Sequence, residues 1–356
     1  MIEIDGSQGE GGGQIIRSSL ALSAVTGKPF KITNIRAGRK KSGLKRQHVT
    51  GVNAAREITG GAVVGAELNS PELTFIPGPI QTRDFHFKIG TAGSTTLVAQ
   101  TVLPALMMAD QPSSITIEGG THNPGGPPFD FLERVYLPQI EKMGPKFKTQ
   151  IESYGFYPVG GGKIKIEIQP SGSLVGSSLM KRKQKMKAKL IALVSKLPMH
   201  IAERELDIIR RKGKWHESEC YPIEIKNSPG PGNVVMMELN SGNVNEIITG
   251  YGSPGVRAED VARKTFRDAK PYLAWEYPVG EYLADQLLLP MGLAAAQEQA
   301  AVSSEFTTGP LSLHATTHID ILKKFLDIEI AVNELELGVF HVEVKPTDSK
   351  VERSAE

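Results

Sequence analysis

One order of elements recurs three times along this chain and limits what it can fold into: helix, strand, loop, helix, strand, strand. In the first copy a strand start at Met1–Asp5 leads through a glycine-rich loop, Gly6–Gly13, into helical spacing over Gln14–Val25. A strand at Pro29–Ile35, a basic loop, a helix at Gln47–Ile58 and strands at Ala62–Leu68 and Glu72–Ile76 follow. The second copy has a strand Phe85–Ile89, a helix Thr95–Ala109, a strand Ser114–Glu118, the loop GGTHNPGGPP, a helix Asp130–Met143, and strands Lys146–Glu152 and Lys163–Ile168. The third has a helix Gly280–Ala295, a strand Ser304–Thr308, a loop holding His314, a helix Thr316–Leu326, and strands Asp327–Asn333 and Val339–Val344. Repetition at this scale predicts three similar units packed about a pseudo-threefold axis. It makes the loops 36–46, 119–128 and 309–313 equivalent, so they are expected to share a cleft.

Between the second and third copies lie about a hundred residues of different texture. A basic run precedes an apolar strand or helix (Leu190–Leu197), a helix over Ala202–Lys212, strands near Val234–Leu239 and Val244–Thr249, and a helix over Ala258–Leu273. The expected architecture is therefore α/β, α+β sheets with helices. A body of three repeated βα units, about 1–80, 81–176 and 278–356, carries a smaller inserted α/β domain at 177–277.

With 356 residues, 22% charged and 40% hydrophobic, the chain has the composition of a globular protein with more than one core. One cysteine, Cys220, excludes an internal disulfide framework and a multi-cysteine zinc site, and fits a reducing, cytoplasmic setting. No apolar run is long enough to span a bilayer, and no leader is visible. Net charge is only +2, but six of the eleven residues from Arg36 to Arg46 are basic and are interleaved with glycine and serine, as in an anion-binding loop. Six of nine are basic between Lys181 and Lys189, where a solvated face is the simpler reading.

No P-loop, dinucleotide fingerprint or HExxH motif occurs. Around Glu10, glycines let backbone N–H groups approach a phosphate, Arg17 adds fixed charge, and a lone carboxylate suits Mg²⁺; a tight turn with a surface Glu and Arg is the plain alternative. His314 stands where a loop becomes a helix. There, unpaired N–H groups favour phosphate and a neutral imidazole, although a helix-capping histidine satisfies the same pattern.

These segments resemble those of RNA 3'-terminal phosphate cyclases over nearly the whole length: DGSQGEGGGQIIR (Asp5–Arg17), IRAGRKKSGLKRQH (Ile35–His48), GTAGSTTLVAQTVLPAL (Gly90–Leu106), GGTHNPGGPPFDF (Gly119–Phe131), YGFYPVGGG (Tyr154–Gly162), GEYLADQLLLPM (Gly280–Met291) and the His314 segment. The resemblance implies a body shared with enolpyruvyl transferases. It also implies ATP-dependent conversion of an RNA 3'-phosphate to a 2',3'-cyclic phosphate through a histidine–AMP intermediate, with His314 as nucleophile. It places Glu10 as the ligand of Mg²⁺ or Mn²⁺, and Arg17, Arg36, Arg39, Gln47 and His48 around the phosphates. Pro127 and Tyr282 would flank adenine, with Gln100, Asp285 and Gln286 lining the nucleotide pocket. RNA with a 3'-terminal phosphate is the implied partner, and a homo-oligomer is possible. The family also holds catalytically silent relatives that act as scaffolds in ribosome assembly; they lack the nucleophilic histidine, so His314 speaks against that alternative. One residue departs from the pattern: His318, one turn after the nucleophile, stands where relatives often carry an amide.

Overall fold

The computed structural model describes residues 1–297 and 302–347. The last nine residues of the expected body, 348–356, lie outside the described residues. The described residues form a mixed α/β structure with four four-stranded sheets. In the first sheet, β1 (Ile2–Asp5) runs parallel to β2 (Phe30–Thr33), which pairs antiparallel with β4 (Leu73–Ile76), itself antiparallel to β3 (Ala62–Val64). Between β1 and β2 lies α1 (Gly13–Thr26), and between β2 and β3 lies α2 (Arg46–Thr59). Parallel neighbours need a crossover, and α1 supplies it.

The same order and senses recur in the second sheet, where β5 (Asp84–Lys88) is parallel to β6 (Ser113–Gly119), β6 antiparallel to β8 (Gly162–Gln169) and β8 antiparallel to β7 (Lys146–Ser153). Here α3 (Thr95–Met107) is the crossover. The helix expected over Asp130–Met143 is broken into α4 (Phe129–Phe131), a π-helical turn at Leu132–Tyr136 and α5 (Leu137–Glu141), with Pro138 in the first turn of α5. A proline supplies no N–H, so the regular ladder is interrupted where it enters.

In the insert, β10 (Lys187–Ser195) pairs with β11 (Cys220–Glu224) and β12 (Gly232–Asn240), and β12 with β13 (Asn245–Tyr251); α6 (His200–Gly213) and α7 (Ala258–Ala274) cover one face. In the third body sheet, β14 (Ser304–Thr308) is parallel to β9 (Ser178–Leu179) and antiparallel to β16 (Val339–Pro346), which pairs with β15 (Ile328–Glu336). This sheet thus takes its first strand from the start of the stretch read as the insert. Helices α8 (Glu281–Ala296) and α9 (Leu313–Phe325) complete the unit.

Two expected boundaries move for stated reasons. The strand read as Ala62–Leu68 stops at Val64, because Gly65 takes a φ of 85° and turns the chain. The last helix starts three residues early, at Leu313: Ser312 is its N-cap and accepts from Ala315 N at 3.3 Å, so His314 lies inside the first turn instead of capping it. The run read as Leu190–Leu197 is a strand as far as Ser195, where β10 ends. Its side chains alternate between two cores, Ile191 and Leu193 packing with the body while Leu190, Ala192 and Val194 pack under α6 and α7, which explains the unbroken apolar sequence.

Phe30 shows how the body closes on itself. It is fully buried on β2 and lies 6.0 Å, centroid to centroid, from both Phe75 on β4 and Phe325 at the end of α9. Truncation to Ala is expected to destabilise the chain by about 3–5 kcal/mol, since the first and third units meet there and cannot easily collapse on the void. Urea unfolding of Phe30→Ala checks this; a loss below about 1 kcal/mol would contradict the packing described.

Candidate active site

His314 is half exposed in the first turn of α9, and its ring is held by one polar chain. Gln14, in the first turn of α1, donates from its amide nitrogen to Asp285 on α8. A carboxylate can only accept, so this bond fixes which end of the Gln14 amide faces His314. The end that does is the carbonyl: Gln14 Oε1 lies 2.7 Å from His314 Nδ1, and an amide oxygen likewise only accepts. The ring proton is therefore on Nδ1, and in the neutral ring the lone pair is on Nε2. That nitrogen lies 3.7 Å from Glu10 Oε1.

Glu10 is held in turn from both sides. Its backbone N–H donates to Thr317 Oγ1 at 2.9 Å, and Thr317 donates to Leu313 O at 2.7 Å, tying the glycine loop to α9. Its carboxylate pairs with Arg39 of the basic loop, while Oε2 is buried with no partner. No group of three or more His, Cys, Asp and Glu side chains is placed to hold a metal among the described residues. A single carboxylate with a free buried oxygen still fits an ion such as Mg²⁺, which takes most of its shell from phosphate oxygens and water.

Positive charge gathers behind Glu10. Burial pulls the Arg17 guanidinium below its ordinary value, with Asp285 and Glu10 opposing that effect. His48, at the start of α2, accepts from Lys45 N through Nδ1 at 3.0 Å. Burial, then Arg17, Arg36 and Lys45, pull it down to about 3, so it is neutral near pH 7. Gly13 allows this approach: a Cβ there would lie 2.5 Å from His48 Nε2. Arg36 adopts a φ of 57° and donates to Lys41 O at 2.7 Å and Gly43 O at 3.1 Å, so it shapes the basic loop as well as charging it. Gln47 accepts from Ser94 N at 2.6 Å, at the N-cap of α3.

A cavity of about 380 Å³ opens beside His314, within the usual range for small-molecule sites. Arg17, Gln100, Pro127, Tyr282, Asp285, Gln286 and His314 all line it, and Gln100 donates to Gln286 at 2.6 Å across it. Glu10, Arg36, Arg39, Gln47 and His48 do not line it; Glu10 adjoins it through His314, and Arg39 through Glu10. Burial pushes the Asp285 carboxyl up, but the hydrogen bond and charge of His318, the Gln14 amide and Arg17 outweigh it, so the net direction is down.

With the site's geometry in place, comparison with known proteins decides the family. Residues 8–332 match the family described as RNA 3'-terminal phosphate cyclase. The chain belongs to that family. A curated RNA 3'-terminal phosphate cyclase from Koribacter versatilis (strain Ellin345) is 47% identical over 336 residues, covering 94% of this chain and 93% of the relative.

Several groups at this cyclase-family site were not singled out from the sequence. Gln14 stands between quoted glycines and an apolar helix, and its signal was a polar residue on a helix that proves to be buried nearly all round. Thr317 gave no signal beyond its position. Ile247, Thr249 and Tyr251 of β13 also line the cavity, so the insert contributes a wall. Only the tertiary fold brings that strand there.

His48 supplies a pH test. Its folded pKa lies below the unfolded value of roughly 6.5, so below that pH the unfolded chain binds the proton first and the His48 contribution to stability falls as pH falls. Between pH 7 and pH 5, wild type should lose about 2 kcal/mol more than His48→Gln. Glu205 and Glu246, pushed up by burial to about 7 and about 8, act with the opposite sign but cancel in the difference. Urea melts of both proteins at the two pH values check this; parallel losses would contradict a buried neutral His48.

Proposed function

We propose that this protein uses ATP to convert an RNA 3'-terminal phosphate into a 2',3'-cyclic phosphodiester, with His314 as the point of AMP attachment. The observation that carries the reading is the His314 ring itself: it lines the cavity, and its Nδ1 is tied at 2.7 Å to a carbonyl of fixed direction, which in the neutral ring leaves the lone pair on Nε2. A neutral imidazole in the first turn of a helix is suited to attack phosphorus, because the N-terminus favours the developing negative charge.

In this reading Nε2 attacks the α-phosphorus of ATP, an N–P bond forms, and the bond to the bridging oxygen breaks to release pyrophosphate. An oxygen of the RNA 3'-phosphate then attacks the same phosphorus, and the N–P electron pair returns to the imidazole. The neighbouring 2'-hydroxyl attacks the activated 3'-phosphorus, losing its proton as AMP leaves; being in the same nucleotide, it has the advantage of proximity. Pro127 and Tyr282 flank the base, Gln100, Asp285 and Gln286 orient the nucleotide, and Arg17, Arg36, Arg39, Gln47 and His48 surround the phosphates. Glu10 would hold Mg²⁺ or Mn²⁺, which when bound neutralises phosphate charge.

Two experiments test this. Protein incubated with α-labelled ATP and Mg²⁺ should become covalently labelled, acid-labile and alkali-stable, and His314→Ala should stay unlabelled. Full labelling of that variant would overturn the assignment. Separately, Arg39→Gln should raise the RNA concentration needed for half-maximal cyclisation and lower the salt slope of RNA binding by about one. An unchanged slope in a filter-binding titration would place Arg39 away from the RNA phosphate.

A further inference from the structure

His318 is 5% exposed, one turn beyond His314 on α9, and does not touch the nucleotide cavity. Its Nδ1 lies 3.0 Å from both Asp285 Oδ1 and the Asp285 backbone oxygen. Both partners only accept, so Nδ1 carries a proton and donates to them. Its Nε2 is buried without a protein partner, and His318 lines, with Arg17, Ser18, Gln100 and Tyr136 among others, a small chamber of about 50 Å³, large enough for water.

These bonds form one directed series. His318 Nδ1–H donates to Asp285; Gln14 donates to Asp285; Gln14 Oε1 accepts from His314 Nδ1–H. We propose that His318 is a positioning residue for the nucleophile: it keeps Asp285 an anionic acceptor, which keeps the Gln14 amide turned with its oxygen toward His314, which keeps the lone pair of His314 on Nε2. The inference rests on His314 being the reacting group.

The direction of the series is what makes it sensitive. Burial alone drives Asp285 toward its protonated form, and His318 is the first of the groups opposing that. Without the His318 donor, a protonated Asp285 becomes a donor toward Gln14. The amide then gains by rotating, presenting its NH₂ to His314. A ring facing a donor must accept through Nδ1, so its proton moves to Nε2 and the nucleophilic lone pair is lost. Wrong-tautomer histidines are inactive in other triads for the same reason, although their geometry is intact.

Two variants separate positioning from packing. His318→Asn places an amide N–H where Nδ1 stood and restores the donor, while His318→Leu fills space without one. The maximal rate of covalent labelling by α-labelled ATP should fall about 10- to 100-fold in His318→Leu, with the ATP concentration for half-saturation little changed, and should recover to within about threefold of wild type in His318→Asn. Nitrogen-15 spectra of ring-labelled protein, with the His314 resonances assigned by their loss in His314→Ala, should show the proton on Nδ1 in wild type and on Nε2 in His318→Leu. A His318→Leu variant that melts like wild type and labels at the wild-type rate overturns the proposal. So does an Asn variant as slow as the Leu variant, or a His314 tautomer unchanged by His318→Leu. The spectra need no ATP, so failure of wild type to label would count against the proposed reaction and leave the relay to be judged on the tautomer alone.

Discussion

Burial of α1 on nearly every side is the constraint from which the site follows. From Gln14 to Ala24 only Arg17 keeps appreciable exposure, and the helix packs against α2, α3 and α9 at once. Ser18, Ser19, Ala21, Ser23 and Ala24 are small enough for three helices to approach it. A helix so enclosed has no solvent face on which to place polar side chains, so any near its N-terminus must find partners inside the protein. Gln14 finds Asp285 and His314; Arg17 lies within the reach of Asp285 and Glu10. The polar residues that a buried helix must satisfy are the ones that orient the His314 ring.

The charges are arranged with an imbalance. Asp285 is satisfied by two donors and one oxygen of Glu10 is paired with Arg39, yet Arg17 lies in the cavity wall without a direct carboxylate contact among the described ion pairs, and His48 is kept neutral beside it. A guanidinium withdrawn in part from water is costly unless a counter-charge is near. Phosphate is such a counter-charge, and the first turn of α9 adds the partial positive charge of a helix N-terminus on the same side.

Much of this was legible in the sequence, for physical reasons that differ by element. Strand and helix order followed from periodicity where a sheet buries one face or a helix one stripe, as α6 and α7 do. Where both faces are buried, as in β10, periodicity disappears and the sequence alone could not choose between strand and helix. His314, Glu10 and the cavity residues were nameable because they sit in long, distinctive segments; their roles came with the family resemblance. Gln14 was not nameable, since a glutamine after three glycines suggests nothing until Asp285, 271 positions away, is folded against it. His318 was visible as a departure, but its bond to Asp285 depends on how α9 lies along α8.

The insert illustrates what linear order hides. Treated as a separate domain, it would be expected to touch the body through a polar, mobile seam. Instead Val234, Met236 and Ile247 share the body's core, while Arg134 from the π-helical turn pairs with Glu238 at 2.6 Å across the junction. Glu246 goes further: its carboxyl accepts from Gly280 N at 3.1 Å, at the N-cap of α8, and a Cβ on Gly280 would lie only 2.2 Å from that oxygen. The helix that carries Tyr282, Asp285 and Gln286 is thus seated by a residue from β13, the strand that also lines the cavity. A rigid-body shift of the insert would move the start of α8, and with it Asp285, on which the Gln14 amide depends. The orientation of His314 is therefore set by the packing of the insert as well as by the unit to which it belongs.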